Sequence, residues 1–159
     1  MIRTALIFAL LAAPAMYAAD AADFASTVAG SYRVLPNIVY ETANGYENRL
    51  DLYLPRDHEG PFPTLVYTHG GGWVGGTKES TVLQLVPYLE RGFAVVNVEY
   101  RLARESLAPA AVADCRCALR WVHAHAKEYG FDTKKIVTTG GSAGGHLSLT
   151  TGTMPKSAG

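Results

Sequence analysis

The spacing of hydrophobic and polar positions changes along the chain, and each change marks an element. Arg49-Leu50-Asp51-Leu52-Tyr53-Leu54 alternates with the period of two that a half-buried strand requires. Ile38-Val39-Tyr40 precedes it across the turn signal Asn44-Gly45-Tyr46, so Ile38 to Leu54 reads as an antiparallel hairpin ended by Pro55. Leu65-Val66-Tyr67 and Phe93-Ala94-Val95-Val96-Asn97-Val98 are apolar nearly throughout, the pattern of strands covered on both faces. Ile136-Val137-Thr138-Thr139 is a β-branched run that makes a fifth strand. Helices are expected between and after these strands. The first runs from Thr81 to Arg91, capped by Ser80, kinked at Pro87 and stopped by Gly92. The second runs from Ala110 to Tyr129, where Val112, Leu119, Trp121 and Val122 supply the apolar side and Gly130 the stop. The third covers His146 to Thr151. Asp23 to Pro36 and Gly152 to Gly159 carry no usable period. The order predicts an α/β layer protein whose sheet opens antiparallel and turns parallel.

Composition narrows the possibilities. A chain of 159 residues is long enough for one domain with a real core. Its formal net charge is zero and it has no basic block, which argues against nucleic acid or an anionic membrane surface as a partner. Met1-Ile2-Arg3 followed by the apolar run Ala5 to Ala13 has the make-up of a secretory signal, too short to span a bilayer. Small-x-small cleavage sites follow at Ala13-Pro14-Ala15 and Ala19-Asp20-Ala21. The second is preferred because Asp20 and Asp23 open a polar end. The expectation is a signal peptide at residues 1–21, a domain at 22–159, export to a periplasm or beyond, and no stable membrane span once the signal is removed. Export permits disulfides. However, Cys115 and Cys117 lie two apart on an expected helix, point to nearly opposite faces, and read as small apolar residues.

The chemistry lies in two glycine-bearing turns. Gly140-Gly141-Ser142-Ala143-Gly144 follows the fifth strand and opens a helix. A sharp strand-to-helix turn of this kind strains the serine backbone and lifts its hydroxyl above the sheet. Glycine on either side, at Gly140 and Gly144, avoids collisions there. The following helix aims free N–H groups at the same spot. His69-Gly70-Gly71-Gly72-Trp73 follows the third strand, and its bare backbone N–H groups have the make-up of an oxyanion hole. Taken singly, Ser142 also reads as a helix N-cap and Gly70 to Gly72 as a flexible loop. The two motifs together, each after a strand, point to acyl transfer.

With these motifs in place, the chain resembles the α/β-hydrolase superfamily. Within it, the likeness is to the hormone-sensitive-lipase-like esterases and the feruloyl-esterase-like, BD-FAE-type group. Tyr100-Arg101-Leu102-Ala103 is similar to that family's segment after the fourth strand. Leu50-Asp51-Leu52-Tyr53-Leu54-Pro55 resembles its second strand, and Asp114 with Ala118-Leu119-Arg120-Trp121 its long helix. The likeness covers about Ile38 to Leu149. It departs at Gly141, where an acidic residue is usual, and at Arg104, where proline is usual. The resemblance implies Ser142 as nucleophile, the N–H groups of Gly70, Gly71 and Ala143 as oxyanion donors, and supporting roles for His69 and Gly72. The residues themselves offer no phosphate loop and no convincing metal site, so no cofactor is expected.

The family's triad runs Ser, then Asp or Glu, then His. After Ser142 this chain has no aspartate or glutamate and a single histidine, His146, four positions along the same helix. Its side chain is expected to pack beside that helix, away from the serine's exposed face. Asp51 and Asp114 precede the serine, the wrong chain order for a triad acid. His123 and His125 are two apart on the long helix, too far around it to share a metal, and His58 sits in a charged loop. Trp73 is expected to pack the loop or line an acyl pocket. The chain therefore reads as the N-terminal portion of an α/β-hydrolase fold, truncated after the nucleophile helix. The function expected of the whole is an exported serine carboxylic-ester hydrolase acting on a small-molecule ester. This chain alone holds donors without a base, which limits it to residual activity. The alternatives are a serine peptidase on the same fold, or a non-catalytic small-molecule-binding or inactive remnant.

Overall fold

A computed structural model describes Asp23, residues 26–57 and residues 59–155. The expected signal peptide and His58 lie outside the described residues. The chain divides into two units, Met1–Ser31 and Tyr32–Gly159. In the first, residues 26–31 are helical, and the Ser31 hydroxyl donates to the Thr27 carbonyl at 2.7 Å.

The second unit is a five-stranded sheet in the order β1-β2-β4-β3-β5. The strands are β1 (Tyr32–Ala43), β2 (Tyr46–Pro55), β3 (Phe62–Thr68), β4 (Ala94–Val98) and β5 (Phe131–Gly140). β1 pairs antiparallel with β2 and β2 with β4, whereas β3 pairs parallel with both β4 and β5. The sheet thus opens antiparallel and turns parallel, as the residue pattern indicates.

β1 is longer than Ile38-Val39-Tyr40 suggests, because its pairing with β2 continues through an irregularity between Leu35 and Ile38. Asn37 takes a φ of 59° there, and its N–H donates to Asp51 Oδ1 at 2.8 Å. A bulge on an edge strand is one of the few places a strand admits a proline, here Pro36. β5 also starts earlier than predicted, at Phe131, which pairs with Phe62.

Among the described residues, four helices complete the unit: α1 (Val82–Leu89), α2 (Ala110–Ala124), the short α3 (Ala126–Tyr129) and α4 (Ala143–Thr153). Three expectations need correction here. Ser80 is not the cap. A 3-10 turn, Lys78–Thr81, precedes α1, and the Thr77 side chain accepts from the Ser80 N–H. The single helix expected from Ala110 to Tyr129 is broken at His125, whose ring stacks on Trp121 and whose Nδ1 lies 2.8 Å from the Trp121 carbonyl. α4 runs on to Thr153, through residues whose small polar side chains gave no period. Their hydroxyls bond back to the helix backbone instead, Thr150 to Leu147 and Thr153 to Leu149.

The two faces of the sheet carry separate cores. Leu50, Leu52, Val66, Val96 and Val98 face one way and pack on Ala118, Trp121 and Val122 of α2. Tyr53, Leu65, Tyr67 and Val95 face the other way and pack on Leu85 and Leu89 of α1. α4 joins the α2 side, where Leu147 packs with Tyr100, Ala111 and Cys115. The chain therefore leaves β3 toward one face and β5 toward the other. Parallel neighbours whose connections diverge this way leave a crevice at their carboxyl ends, the usual ligand position in α/β sheets. Both glycine-bearing turns open there.

Candidate active site

Ser142 lies between the end of β5 and the start of α4 with φ 53° and ψ −118°. A non-glycine residue is strained in this region by about 1–3 kcal/mol, which the surrounding packing must hold in place. The strain has a visible cause. Gly140 and Gly144 are pressed against the last residue of β3. A methyl group at Gly140 would lie 2.2 Å from the Thr68 carbonyl oxygen, and one at Gly144 would lie 2.0 Å from it. Thr68 also bonds across the turn: its Oγ1 donates to the Gly144 carbonyl at 2.8 Å and lies 2.9 Å from Ser148 Oγ. The helix start is thus drawn onto the strand end, and Ser142 is the residue left to turn the corner. Gly141 has open space around its Cβ position.

The glycine loop comes in from β3. A methyl at Gly70 would lie 3.5 Å from Ser142 Cβ and 2.8 Å from the Gly141 carbonyl oxygen, so the loop backbone lies directly against the serine turn. Gly71, Gly72 and Trp73 all have positive φ, at 122°, 61° and 62°. The loop is closed by bonds from the Val74 and Gly75 N–H groups to the Gly71 carbonyl at 3.1 and 3.0 Å. Ala143 is the first residue of α4, so its N–H has no partner within the helix. Gly70 thus lies against Ser142 from the loop side, and Ala143 follows it in the chain.

His69 is fully buried at the root of the loop. Its Nδ1 lies 2.7 Å from the Gly70 carbonyl oxygen, and its ring stacks on Tyr100 with centroids 4.3 Å apart. The Tyr100 hydroxyl donates to the His69 carbonyl at 2.9 Å. Burial pushes that hydroxyl's pKa up, so it remains protonated as a donor. Thr68 and Gly76 carry no motif of their own in the sequence, and Tyr100 only opens a family-like segment, yet all three shape the site. A methyl at Gly76 would lie 2.3 Å from the Gly70 carbonyl oxygen and 2.7 Å from His69 Nδ1.

The other acids and histidines have different occupations. Asp51 is buried beneath Lys78, whose Nζ lies 3.0 Å from Oδ1. Burial works against the lysine charge, but Glu79 and Asp51 outweigh it and hold the Lys78 pKa above its ordinary value. Asp114 receives the Arg101 guanidinium, with Nη2 2.6 Å from Oδ1. This bond holds the arginine pKa above its ordinary value. His146 is exposed and meets Trp73 edge-on, ring centroids 5.4 Å apart. Among the described residues, no hydrogen bond joins the Ser142 hydroxyl to a histidine. No group of three or more His, Cys, Asp or Glu side chains gathers among them to hold a metal ion. Cys115 and Cys117 are free thiols, and burial pushes both up in pKa.

A cleft of about 480 Å³ opens beside the loop. Trp73, Val74, Leu107, Pro109, Val112 and His146 line it, and Leu147 of α4 reaches its floor. It is mainly apolar and adjoins the glycine loop, and His146 and Leu147 of α4 line it.

The fold is an α/β-hydrolase fold, and solved esterases share it. The native esterase Est2 of Thermogutta terrifontis superposes with a TM-score of 0.67 at 34% identity, over 74% of this chain and 42% of that one. Other structures of that esterase are propionate- and butyrate-bound, and one is phosphorylated by paraoxon. The BD-FAE family model matches residues 50–158, and the chain belongs to that family. Among relatives in Mycobacterium tuberculosis, the probable carboxylic ester hydrolase LipM is 39% identical over 115 residues. That match covers 70% of this chain and 27% of LipM. Carboxylesterase NlhH is 35% identical over 132 residues, covering 79% of this chain and 41% of NlhH. The chain thus spans less than half the length of these relatives.

Proposed function

We propose that this chain carries the nucleophile half of an exported serine carboxylic-ester hydrolase. The observation that supports this reading most is Ser142 in a strained backbone conformation, facing a glycine loop that packs against it. In this reading Ser142 Oγ attacks the ester carbonyl carbon while its proton passes to a base. The carbonyl oxygen takes on negative charge, and the N–H groups of Gly70, Gly71 and Ala143 receive it. The tetrahedral species collapses, the C–O bond to the alcohol breaks, and the alcohol leaves with the proton. Water then attacks the acyl-serine, releasing the carboxylic acid and restoring the hydroxyl. Gly72 supports the loop and His69 orients it.

The base and its acid are taken to come from a part of the hydrolase that the shared 41% of NlhH does not span. The apolar cleft beside Trp73 suits the hydrocarbon part of a small ester. The propionate- and butyrate-bound relative makes short acyl chains the first substrates to try. Export rests on the signal-like residues 1–21, and N-terminal sequencing of the protein from its native source tests it. A start after Ala21 is expected, and a start at Met1 would remove the export claim.

The catalytic claim is tested with a fluorophosphonate, which reports serine nucleophilicity by intact mass. Once the remaining part of the fold is supplied, one adduct that maps to Ser142 and is lost in Ser142→Ala is expected, together with p-nitrophenyl butyrate hydrolysis. Ester turnover that persists in Ser142→Ala would overturn the assignment. Faster cleavage of aminoacyl amides than of esters would move the reading to a peptidase.

A further inference from the structure

Glu99 closes β4's path out of the sheet, one residue before Tyr100, and no sequence motif marks it. Its backbone is tied on both sides: its N–H donates to the Arg49 carbonyl at 3.0 Å, and its carbonyl accepts the Tyr40 hydroxyl at 2.7 Å. One carboxylate oxygen, Oε2, accepts the Lys78 N–H at 2.8 Å. The other, Oε1, stands 3.3 Å from His69 Nε2. Nε2 is buried and has no hydrogen-bond partner, which leaves it facing this carboxylate.

The protons decide what this contact does. His69 Nδ1 at 2.7 Å from a carbonyl oxygen requires the proton on Nδ1. Nε2 then presents its lone pair to a carboxylate oxygen, and two bare acceptors at that distance repel. A proton held between Nε2 and Oε1 turns the contact into a charge-assisted bond. An unpaired buried polar atom costs about 1–3 kcal/mol, so this arrangement is the one that satisfies both groups.

The consequence reaches Ser142 through one peptide plane. The Gly70 carbonyl and the Gly71 N–H belong to the same trans peptide and point in opposite directions. Holding the Gly70 oxygen against buried His69 therefore aims the Gly71 N–H outward, on the open side of the loop. We propose that Glu99 is a positioning residue for the oxyanion loop: it shares a buried proton with His69, whose ring fixes the Gly70–Gly71 peptide. The inference rests on the reading of this loop as the oxyanion-stabilising element. Its claim about Glu99 is testable without turnover.

Two variants of the full chain separate hydrogen bonding from packing. Glu99→Gln keeps an oxygen for the Lys78 N–H and offers an amide N–H to His69 Nε2. Glu99→Leu has similar bulk and offers neither. The readouts are the backbone amide resonances of Gly71, Gly72 and Lys78, the side-chain nitrogen resonances of His69, and the rate of Ser142 modification by a fluorophosphonate. In Glu99→Leu the Gly71 and Gly72 amides are expected to shift, the Nε2 proton signal to disappear, and the modification rate to fall about tenfold. That loss is smaller than the 10²–10³-fold typical of removing a donor outright, because the donor is mis-aimed rather than lost. In Glu99→Gln the glycine amides stay in place and the rate is retained within about threefold, a hydrogen bond having replaced the one lost. If the Lys78 amide moves in Glu99→Leu while Gly71 and Gly72 do not, Glu99 serves only the turn at Lys78 and the proposal fails. It fails equally if Gln behaves like Leu. If the unaltered chain shows no adduct at Ser142, as a serine without its base allows, the glycine amides alone decide the role of Glu99.

Discussion

The two glycine-bearing turns use the same residue for different physical reasons. At the serine turn, Gly140 and Gly144 are needed for closeness: Thr68 occupies the space their side chains would take. The unusual backbone there belongs to Ser142 itself, at φ 53°. In the loop after β3, glycine is needed for conformation. Gly71, Gly72 and Gly76 take φ values of 122°, 61° and 91° that side chains rarely adopt. Within each turn some glycines meet neither demand. Gly141 has open space around it, and Gly75 meets nothing nearer than 3.9 Å. A glycine-rich motif is therefore a mixture of close-packing, conformational and permissive positions, which only substitution by substitution can be told apart.

The largest effect should come from Gly144→Val. Its Cβ would enter within 2.0 Å of the Thr68 oxygen and 2.6 Å of the His69 oxygen, both backbone atoms that cannot step aside. A loss of more than about 4 kcal/mol in urea denaturation is expected, and a folded variant with an unchanged midpoint would refute the close-packing account. Gly71→Ala comes next. It combines positive φ with a Cβ 2.0 Å from the Gly75 oxygen, yet the loop is exposed and can deform. About 1–3 kcal/mol is expected, together with a fall in Ser142 modification of about 10²–10³-fold as the donor moves.

A smaller effect of opposite sign should appear at Ser142. Ser142→Gly relieves the strained backbone and should stabilise the chain by about 1 kcal/mol. Ser142→Ala keeps the Cβ and should change stability by no more than about 0.5 kcal/mol. Equal midpoints for the two variants would show that the turn carries no stored strain. The smallest effect belongs to Gly141→Ala, within about 0.5 kcal/mol either way. A large loss there would show that the permissive class does not exist.

Much of this fold was legible because its signals are local. The alternation of Arg49 to Leu54, the apolar runs of β3 and β4, and the stops at Gly92 and Gly130 each depend on neighbours in sequence. So does the pair of motifs around Gly70 and Ser142. One boundary was missed because a strand partner decided it, and two because side-chain contacts within a turn carry no hydrophobic period. β1 extends to Tyr32 because β2 is there to pair with it. The long helix breaks at His125, where the ring turns back onto Trp121. Thr77 displaced Ser80 as the cap within a 3-10 turn that hydrophobic spacing does not register. Tyr100 was marked only by the segment it opens, and Glu99 and Thr68 were invisible as site residues because ordinary side chains in loops and strand ends carry no pattern. They matter through what they touch, Glu99 across to His69 and Thr68 across to Gly144.

The sequence by itself determined the layer architecture, the family and the placing of glycine around one serine, since these follow from residue type and spacing along the chain. The tertiary structure alone decided why each glycine is required, which buried polar atoms face one another, and that β3 and β5 send their connections to opposite faces. Those depend on atoms 76 residues apart in the chain, as with Thr68 and Gly144, meeting at bonding distance. No local pattern encodes a distance of that kind.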